Sequence, residues 1–573
     1  MKKAFLSKLI FRLVMSALLI MCISGISMFQ VPVLANTAKK EAASSITMES
    51  GNGYGIVNKV IKNIQQWHVA EVTLKSGKKY GNPFKDVEIY AVFSAPDETI
   101  IELPGFWDGG NTWKVRFAPT QTGTWTYTVY CTDKKNKELD NQMGKIECVK
   151  NTSTLSIYKH GFIRASNNRR LFSYNDGTPF FWLGDTHWGM TESLDKTNYP
   201  RATIPSQFKH IVNDRIKKGF TVYQAYPSSL DNKYWCNKYD RLNPQGFRNH
   251  LDKQIQHLAD NGMVIALGMG WFGDQSFAGQ KGMELFAKYM VARYAAYPVV
   301  WFTAQEVDIN NRYNNPEVWK SVALLIRRYD GYKHPLSGHM QSLGEPKTWG
   351  NEPWHDWFAT QGGHGGTSKI RTKEHYKSYW DYFPRKPYIE TEAMYEGVDA
   401  GGAKATAKDV RIAAYKAIQC GSYGYTYGAA GVWRNKWDAS KEDAYDHRTP
   451  WYVGIDLPGG RELGFLKGFY TSLDWSRLIP RFSDTSWGEF KNGEQAVVST
   501  NASKVYTVYF YNIGKDTGVL KNMDSGKVYT AEWFNPRTGK YTIINDGIKP
   551  ETGRYNIPQK PDNEDWMLLV RQM

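Results

Sequence analysis

Eight short apolar runs recur between residues 161 and 478, at 180–184, 221–226, 264–268, 299–304, 335–339, 357–361, 388–391 and 421–427. Segments with helical periodicity separate most of them, at 205–218, 247–261, 283–297, 316–329 and 407–419. An apolar run of this length closed by polar residues reads as a buried strand. Buried strands alternating with helices make a parallel sheet covered on both faces. Eight such units predict a (β/α)8 TIM barrel. A doubly wound sheet is the competing fold, but no glycine-rich phosphate loop follows the first run.

The barrel leaves much of the 573-residue chain unassigned, so further domains are expected on both sides. Over 61–160 the pattern is alternating β, as in Val87-Glu-Ile-Tyr-Ala-Val-Phe93 and Thr124-Trp-Thr-Tyr-Thr-Val-Tyr130, with Gly-containing turns between. Short alternating strands with regular turns predict a β-sandwich. Phe117-Ala-Pro-Thr-Gln-Thr-Gly-Thr-Trp125 resembles the strand-turn-strand of immunoglobulin-like modules. Residues 479–573 return to short strands, predicting a second sandwich.

Residues 1–35 read as a secretory signal: Lys2, Lys3, Lys8 and Arg12, an apolar stretch from Leu13 to Phe29, and small-residue cleavage after Ala35. Residues 36–60 read as a linker. The expected location is therefore extracellular, with no membrane span after cleavage. The formal charge is +16, and the signal carries four positive and no negative residues, leaving 16 − 4 = +12. That balance favours an acidic polysaccharide or a cell-wall surface, and no dense basic tract points to nucleic acid. Cys131 and Cys148 flank an expected hairpin loop and stand either as a disulfide or as two buried thiols. Composition does not fix the oligomeric state.

The strand ends carry the chemistry. The fourth run stops at Gln305-Glu306 and the seventh at Glu390-Thr-Glu392. A carboxylate just past a barrel strand's carboxyl end sits where such enzymes react, and two of them suit glycosidic bond hydrolysis. Alternation puts Phe302, Ala304 and Glu306 on one face, and Tyr388, Glu390 and Glu392 on another. Glu392 would lie at the mouth with Glu390 one layer down, and Glu396 is a third candidate. Other strand ends supply Asp185, His187, Trp188, Trp271, His339, His364, Tyr395, Tyr427 and Trp433 as a polar and aromatic lining for a sugar. His187, His339 and His364 could be grouped as metal ligands. A sugar cleft explains the same residues, so no metal or cofactor is expected.

Phe180-Phe-Trp-Leu-Gly-Asp-Thr-His-Trp188, Val300-Trp-Phe-Thr-Ala-Gln-Glu306, Lys386-Pro-Tyr-Ile-Glu-Thr-Glu-Ala-Met-Tyr-Glu396 and Cys420-Gly-Ser-Tyr-Gly-Tyr-Thr-Tyr-Gly428 resemble the apiosidase-like glycoside hydrolases. The resemblance implies an acid/base at the end of strand four and a nucleophile at the end of strand seven, here Glu306 and Glu392. Two departures stand out. Apiosidases usually end the fourth strand in a Gly-Gly-Asp-like sequence, where this chain has Ala304-Gln305-Glu306. Ala393 stands where many relatives have proline. The hydrolase class therefore carries over better than the sugar. The expectation is a secreted retaining glycoside hydrolase acting on a plant or bacterial polysaccharide. The alternative is a non-catalytic carbohydrate- or matrix-binding protein on the same barrel.

Overall fold

The computed structural model describes residues 59–573, apart from 195–203, 205, 238, 310, 342–345, 347, 367–368, 401–402, 437–444, 492–495 and 502. The expected signal and nearly all of the linker lie outside the described residues.

All eight expected runs form strands of one parallel sheet: β1 (Trp182–Gly189), β2 (Val222–Pro227), β3 (Val264–Gly268), β4 (Val299–Phe302), β5 (Leu336–Ser337), β6 (Phe358–Gln361), β7 (Tyr388–Glu392) and β8 (Gly424–Ala429). Their order around the sheet is β5-β4-β3-β2-β1-β8-β7-β6. The sheet closes between β5 and β6, where His339 bridges Ala359 and the Met340 amide donates to the Ala359 carbonyl at 3.1 Å. This is a TIM-like barrel.

The side chains show which way each strand faces. Trp182, Val222, Val264, Ala266, Val300, Phe302, Trp357, Ala359 and Ile389 form one cluster inside the barrel. Their neighbours Leu183, Tyr223, Ile265, Val299, Trp301, Phe358 and Tyr388 join a second cluster with the helices. A three-stranded hairpin unit, Ile163–Ala165, Phe172–Tyr174 and Pro179–Phe180, seals the amino-terminal end. Its Phe172 packs 5.3 Å from Trp357 and 5.5 Å from Trp182.

Helices α1 (Gln207–Lys217), α2 (Leu251–Asp260), α3 (Gln275–Tyr294), α4 (Pro316–Tyr329), α5 (Lys373–Trp380), α6 (Ala407–Gln419) and α7 (Pro458–Thr471) surround the strands. α4 shows why they form where they do. The Asn315 side chain caps the Glu317 amide, Pro316 occupies the first turn, and Arg327 and Arg328 lie in the last. Val318, Trp319, Val322, Ala323 and Ile326 then fall on one buried stripe.

The amino-terminal flank is a five-stranded sheet facing a three-stranded one, with Phe93 and Phe117 stacked at 4.0 Å between them. The carboxyl-terminal flank pairs a six-stranded with a three-stranded sheet. Cys131 and Cys148 are free, buried thiols. They lie on adjacent strands, but Cys148 pairs with Gly123, at the opposite end of its strand from Cys131. At about 3.3 Å per residue, eight residues keep them far beyond disulfide reach.

Candidate active site

Glu306 and Glu392 meet at the carboxyl end of the barrel. Glu392 is inward-facing because β7 carries a bulge. Tyr388, Ile389 and Glu390 pair in step with Phe358, Ala359 and Thr360, and then Gln361 pairs with Glu392, skipping Thr391. The extra residue lets Ile389 and Glu392 both point in, with Glu390 outward. The expectation that Glu390 lies one layer beneath Glu392 on the same face is therefore corrected. Glu390 accepts a hydrogen bond from Tyr376 of α5 at 2.5 Å, behind the barrel wall. Burial pushes its carboxyl up to about 7. Glu396 also faces outward, accepting from Tyr427 Oη at 2.6 Å and the Gly459 amide at 2.8 Å.

The two carboxylates have unlike surroundings. Glu392 is only 4 % exposed. Its Oε2 accepts from Gln305 Nε2 at 2.6 Å, and its Oε1 lies 3.1 Å from His364 Nε2. His339 Nε2 is 3.5 Å from Oε2. Burial opposes its ionised form, but the His364 hydrogen bond, the two imidazoles and the Gln305 amide outweigh it and hold Glu392 below its ordinary value. Glu306 accepts from Trp271 Nε1 at 3.1 Å and from Gln361 Nε2 at 3.3 Å. Burial, with the charge of Glu392 added, raises it above its ordinary value. The backbone at Glu306 has φ +54°, a left-handed conformation that costs a non-glycine residue about 1–3 kcal/mol. It is held by the ends of neighbouring strands: the Gln305 amide donates to the Gly270 carbonyl and the Val307 amide to the His339 carbonyl, each at 3.0 Å.

Among the expected lining residues, Trp188, Trp271, His339, His364 and Tyr395 gather around this pair. Trp188 Nε1 donates to Tyr395 Oη at 3.1 Å, and its ring packs against Tyr226 and His339. Tyr395 lies against His364, with ring centroids 4.4 Å apart. Trp433 continues this wall, 5.6 Å from Tyr395. Burial pushes His339 down to about 4, against the pull of the Glu392 charge.

Asp185, His187 and Tyr427 are elsewhere. On β1 the alternation sends Trp182 and Trp188 inward and Asp185 and His187 outward. Asp185 Oδ2 sits 2.5 Å from Arg215 Nε of α1 and 2.9 Å from His187 Nε2. His187 Nδ1 reaches Glu192 at 2.7 Å, and its ring stacks on Tyr223 at 4.2 Å. Burial alone would lower His187, but Asp185 and Glu192 outweigh it and push it up to about 9. Tyr427 bonds Glu396 and packs under Arg215. These three hold the barrel to its helices and do not line the cleft. Among the described residues no three or more His, Cys, Asp or Glu side chains are arranged to hold a metal ion.

Gln305 and Gln361 were not anticipated. Gln361 ends β6 as Glu392 ends β7, so the same strand-end rule identifies it; Gln305 directly precedes Glu306.

The family model described as "Apiosidase-like, catalytic domain" matches residues 166–477, more than half of the chain. A domain of unknown function, DUF5060, matches residues 63–132, and the family described as "Putative collagen-binding domain of a collagenase" matches 486–571. No curated protein matches the chain. A solved structure described as a "putative glycoside hydrolase" from Bacteroides vulgatus ATCC 8482 is 18 % identical with a TM-score of 0.69, covering 90 % of this chain and 100 % of that one. A glycoside hydrolase family 5 structure from the same strain is 21 % identical with a TM-score of 0.61, covering 74 % and 95 %. A third structure, described as a glycoside hydrolase, is 21 % identical with a TM-score of 0.60, covering 74 % and 98 %. At such identities the structural likeness speaks to the fold alone.

Proposed function

This chain belongs to the apiosidase-like catalytic-domain family and is a glycoside hydrolase; from that premise we propose that it is a secreted, retaining enzyme that cleaves a plant or bacterial polysaccharide. Glu392 attacks the anomeric carbon and forms a glycosyl-enzyme bond. Glu306 gives its proton to the departing glycosidic oxygen, then takes one from the water that releases the sugar. The observation that carries this reading is the opposed setting of the two carboxyls. Two imidazoles and an amide favour the ionised form of Glu392, while burial and the Glu392 charge favour the protonated form of Glu306. A nucleophile and an acid must differ in this sense. Trp188, Tyr395, His339, His364 and Trp433 shape the sugar site around them. The basic balance of the chain beyond its first 35 residues favours an acidic polymer.

The test is turnover of a panel of polysaccharides, with the anomeric configuration of the first product read by NMR. Glu392→Gln should reduce the rate on the order of a thousandfold or more, a loss of several kcal/mol of transition-state stabilisation. Glu306→Ala should be milder on substrates whose leaving group needs no proton, and azide should partly restore it. An inverted product, or full activity of Glu392→Gln, ends the retaining reading. Absence of turnover across a broad panel would favour the carbohydrate-binding alternative.

A further inference from the structure

Trp271 is 41 % exposed, unusual for so large an apolar ring. It is nonetheless fixed at every level. The Gln305 amide donates to the Gly270 carbonyl and the Phe272 amide to the Gln305 carbonyl, both at 3.0 Å, binding this segment to the end of β4. The Trp271 amide donates to Asp274 Oδ2 at 3.0 Å. The indole rests on Phe272, with ring centroids 4.1 Å apart, and over Gly273, where a Cβ would stand 3.3 Å from its Cζ3. Its Nε1 is bound to Glu306 at 3.1 Å. A ring held out to solvent in one orientation has already lost the freedom that binding would otherwise take from it. An aromatic face with a polar handle suits the C–H face of a sugar. Its attachment to Glu306 decides which sugar. The group that protonates the leaving oxygen stands beside the unit that departs, not the unit that Glu392 attacks.

We propose that Trp271 is the platform for the sugar unit on the leaving-group side of the scissile bond, and that its N–H at the same time fixes the carboxyl that protonates that bond. This rests on the reading of Glu306 as the acid, and it gives the enzyme a preference for a chain continuing past the cleaved bond over a small leaving group. The two jobs separate by substitution. Trp271→Phe keeps an aromatic face and removes the donor. Trp271→Ala removes both.

Two measurements on the full chain test it. In protein carrying 13C at the glutamate carboxyls, with the Glu306 signal assigned by its loss in Glu306→Gln, Trp271→Phe should raise the Glu306 titration midpoint by roughly half a pH unit or more, because the lost N–H favoured the ionised form. An unchanged midpoint overturns the second job. Affinity electrophoresis through gels cast with pectin, arabinogalactan, xylan or β-glucan tests the first, using Glu392→Gln as the parent so that no gel is digested. The parent should be retarded in at least one gel. Adding Trp271→Phe should keep most of that retardation, and adding Trp271→Ala should weaken binding about tenfold or more, with circular dichroism verifying the fold. No retardation of the parent in any gel, or equal retardation with Trp271→Ala, overturns the platform. If Glu306→Gln keeps full turnover while Trp271→Ala loses retardation, the acid assignment falls and the leaving-group side with it, and Trp271 stands only as a sugar platform.

Discussion

Glu306 and Glu392 are chemically the same side chain, and their neighbours give them opposite tendencies. Glu392 has Gln305, His339 and His364 around it; Glu306 has an indole N–H and an amide, with a negative charge opposite that outweighs the more distant His364. The proposed first step needs Glu392 ionised and Glu306 protonated. Activity should therefore rise as pH passes the lowered Glu392 value and fall as it passes the raised Glu306 value, giving a bell whose basic limb lies above the ordinary value of a glutamate. Glu306→Gln should remove that limb from whatever activity remains, which a pH–rate profile reads directly. Glu390 acts on stability instead. Its carboxyl is raised from 4.5 to about 7 in the folded chain, so the folded state keeps a proton that the unfolded state releases. That contribution is complete below about pH 4.5 and is lost as pH rises through 7, about 3 kcal/mol over the window at 1.36 kcal/mol per unit. Glu390→Gln keeps the bond from Tyr376 without a charge to bury. Urea unfolding at pH 4.5 and 8 should show the wild type losing about that much relative to the variant. Equal pH dependence in both proteins would remove Glu390 as the cause.

At the scale of single elements, the eight strands were legible because each is an apolar run closed by a polar residue. Their facing was harder to read. All of β1 is buried, so its sequence carries no alternation of apolar and polar that tells inside from outside. Asp185, His187 and Trp188 look alike as a polar strand end, yet only Trp188 points into the cleft. The bulge at Thr391 was invisible for a related reason: one extra residue changes the facing of everything after it without altering composition. Glu392 was identified by its place at the strand end, a place that survives the bulge, whereas the facing of Glu390 was not. Gln305 and Gln361 also stand at strand ends, but the role of a glutamine depends on the carboxylate it meets, which the sequence does not display. These placements give Asp185 a distinct test. Asp185→Asn would leave Arg215 and His187 each short of a buried partner, costing about 3–5 kcal/mol. Because the side chain points away from the cleft, KM should stay near that of the wild type. A large rise in KM with unchanged unfolding would return Asp185 to the substrate.

Across the whole molecule, both flanking sandwiches are joined to the barrel by buried ion pairs. On the amino-terminal side, Arg116 binds Asp252 of α2 at 2.9 Å, and Arg293 of α3 binds Asp108 at 2.9 Å. On the carboxyl-terminal side, Arg411 of α6 makes two bonds to Asp565, at 2.9 and 2.7 Å, and a third to Glu462 of α7 at 2.6 Å. Apolar contact accompanies the charges: Tyr415 of α6 stacks on Tyr509 at 4.7 Å, and Phe469 of α7 packs 4.8 Å from Phe534. Tyr415 and Phe469 are buried, and removing the carboxyl-terminal sheet would expose their rings to water. It would also strip Arg411 of Asp565, the partner that most favours its buried charge. Each buried ring returned to solvent forfeits about 1.5–3 kcal/mol, and a severed buried ion pair about 3–5 kcal/mol. Together these approach the whole stability of an ordinary domain. A protein consisting of residues 161–478 should therefore aggregate or unfold well below the full chain in a thermal scan, although it holds Glu306, Glu392 and every residue that touches them. Asp565→Ala in the full chain is the finer probe. It should lower the melting temperature by several degrees while leaving kcat at low temperature near that of the wild type. A 161–478 protein that stays monomeric on size exclusion and matches full-chain turnover would show that the sandwiches serve something other than the barrel's stability.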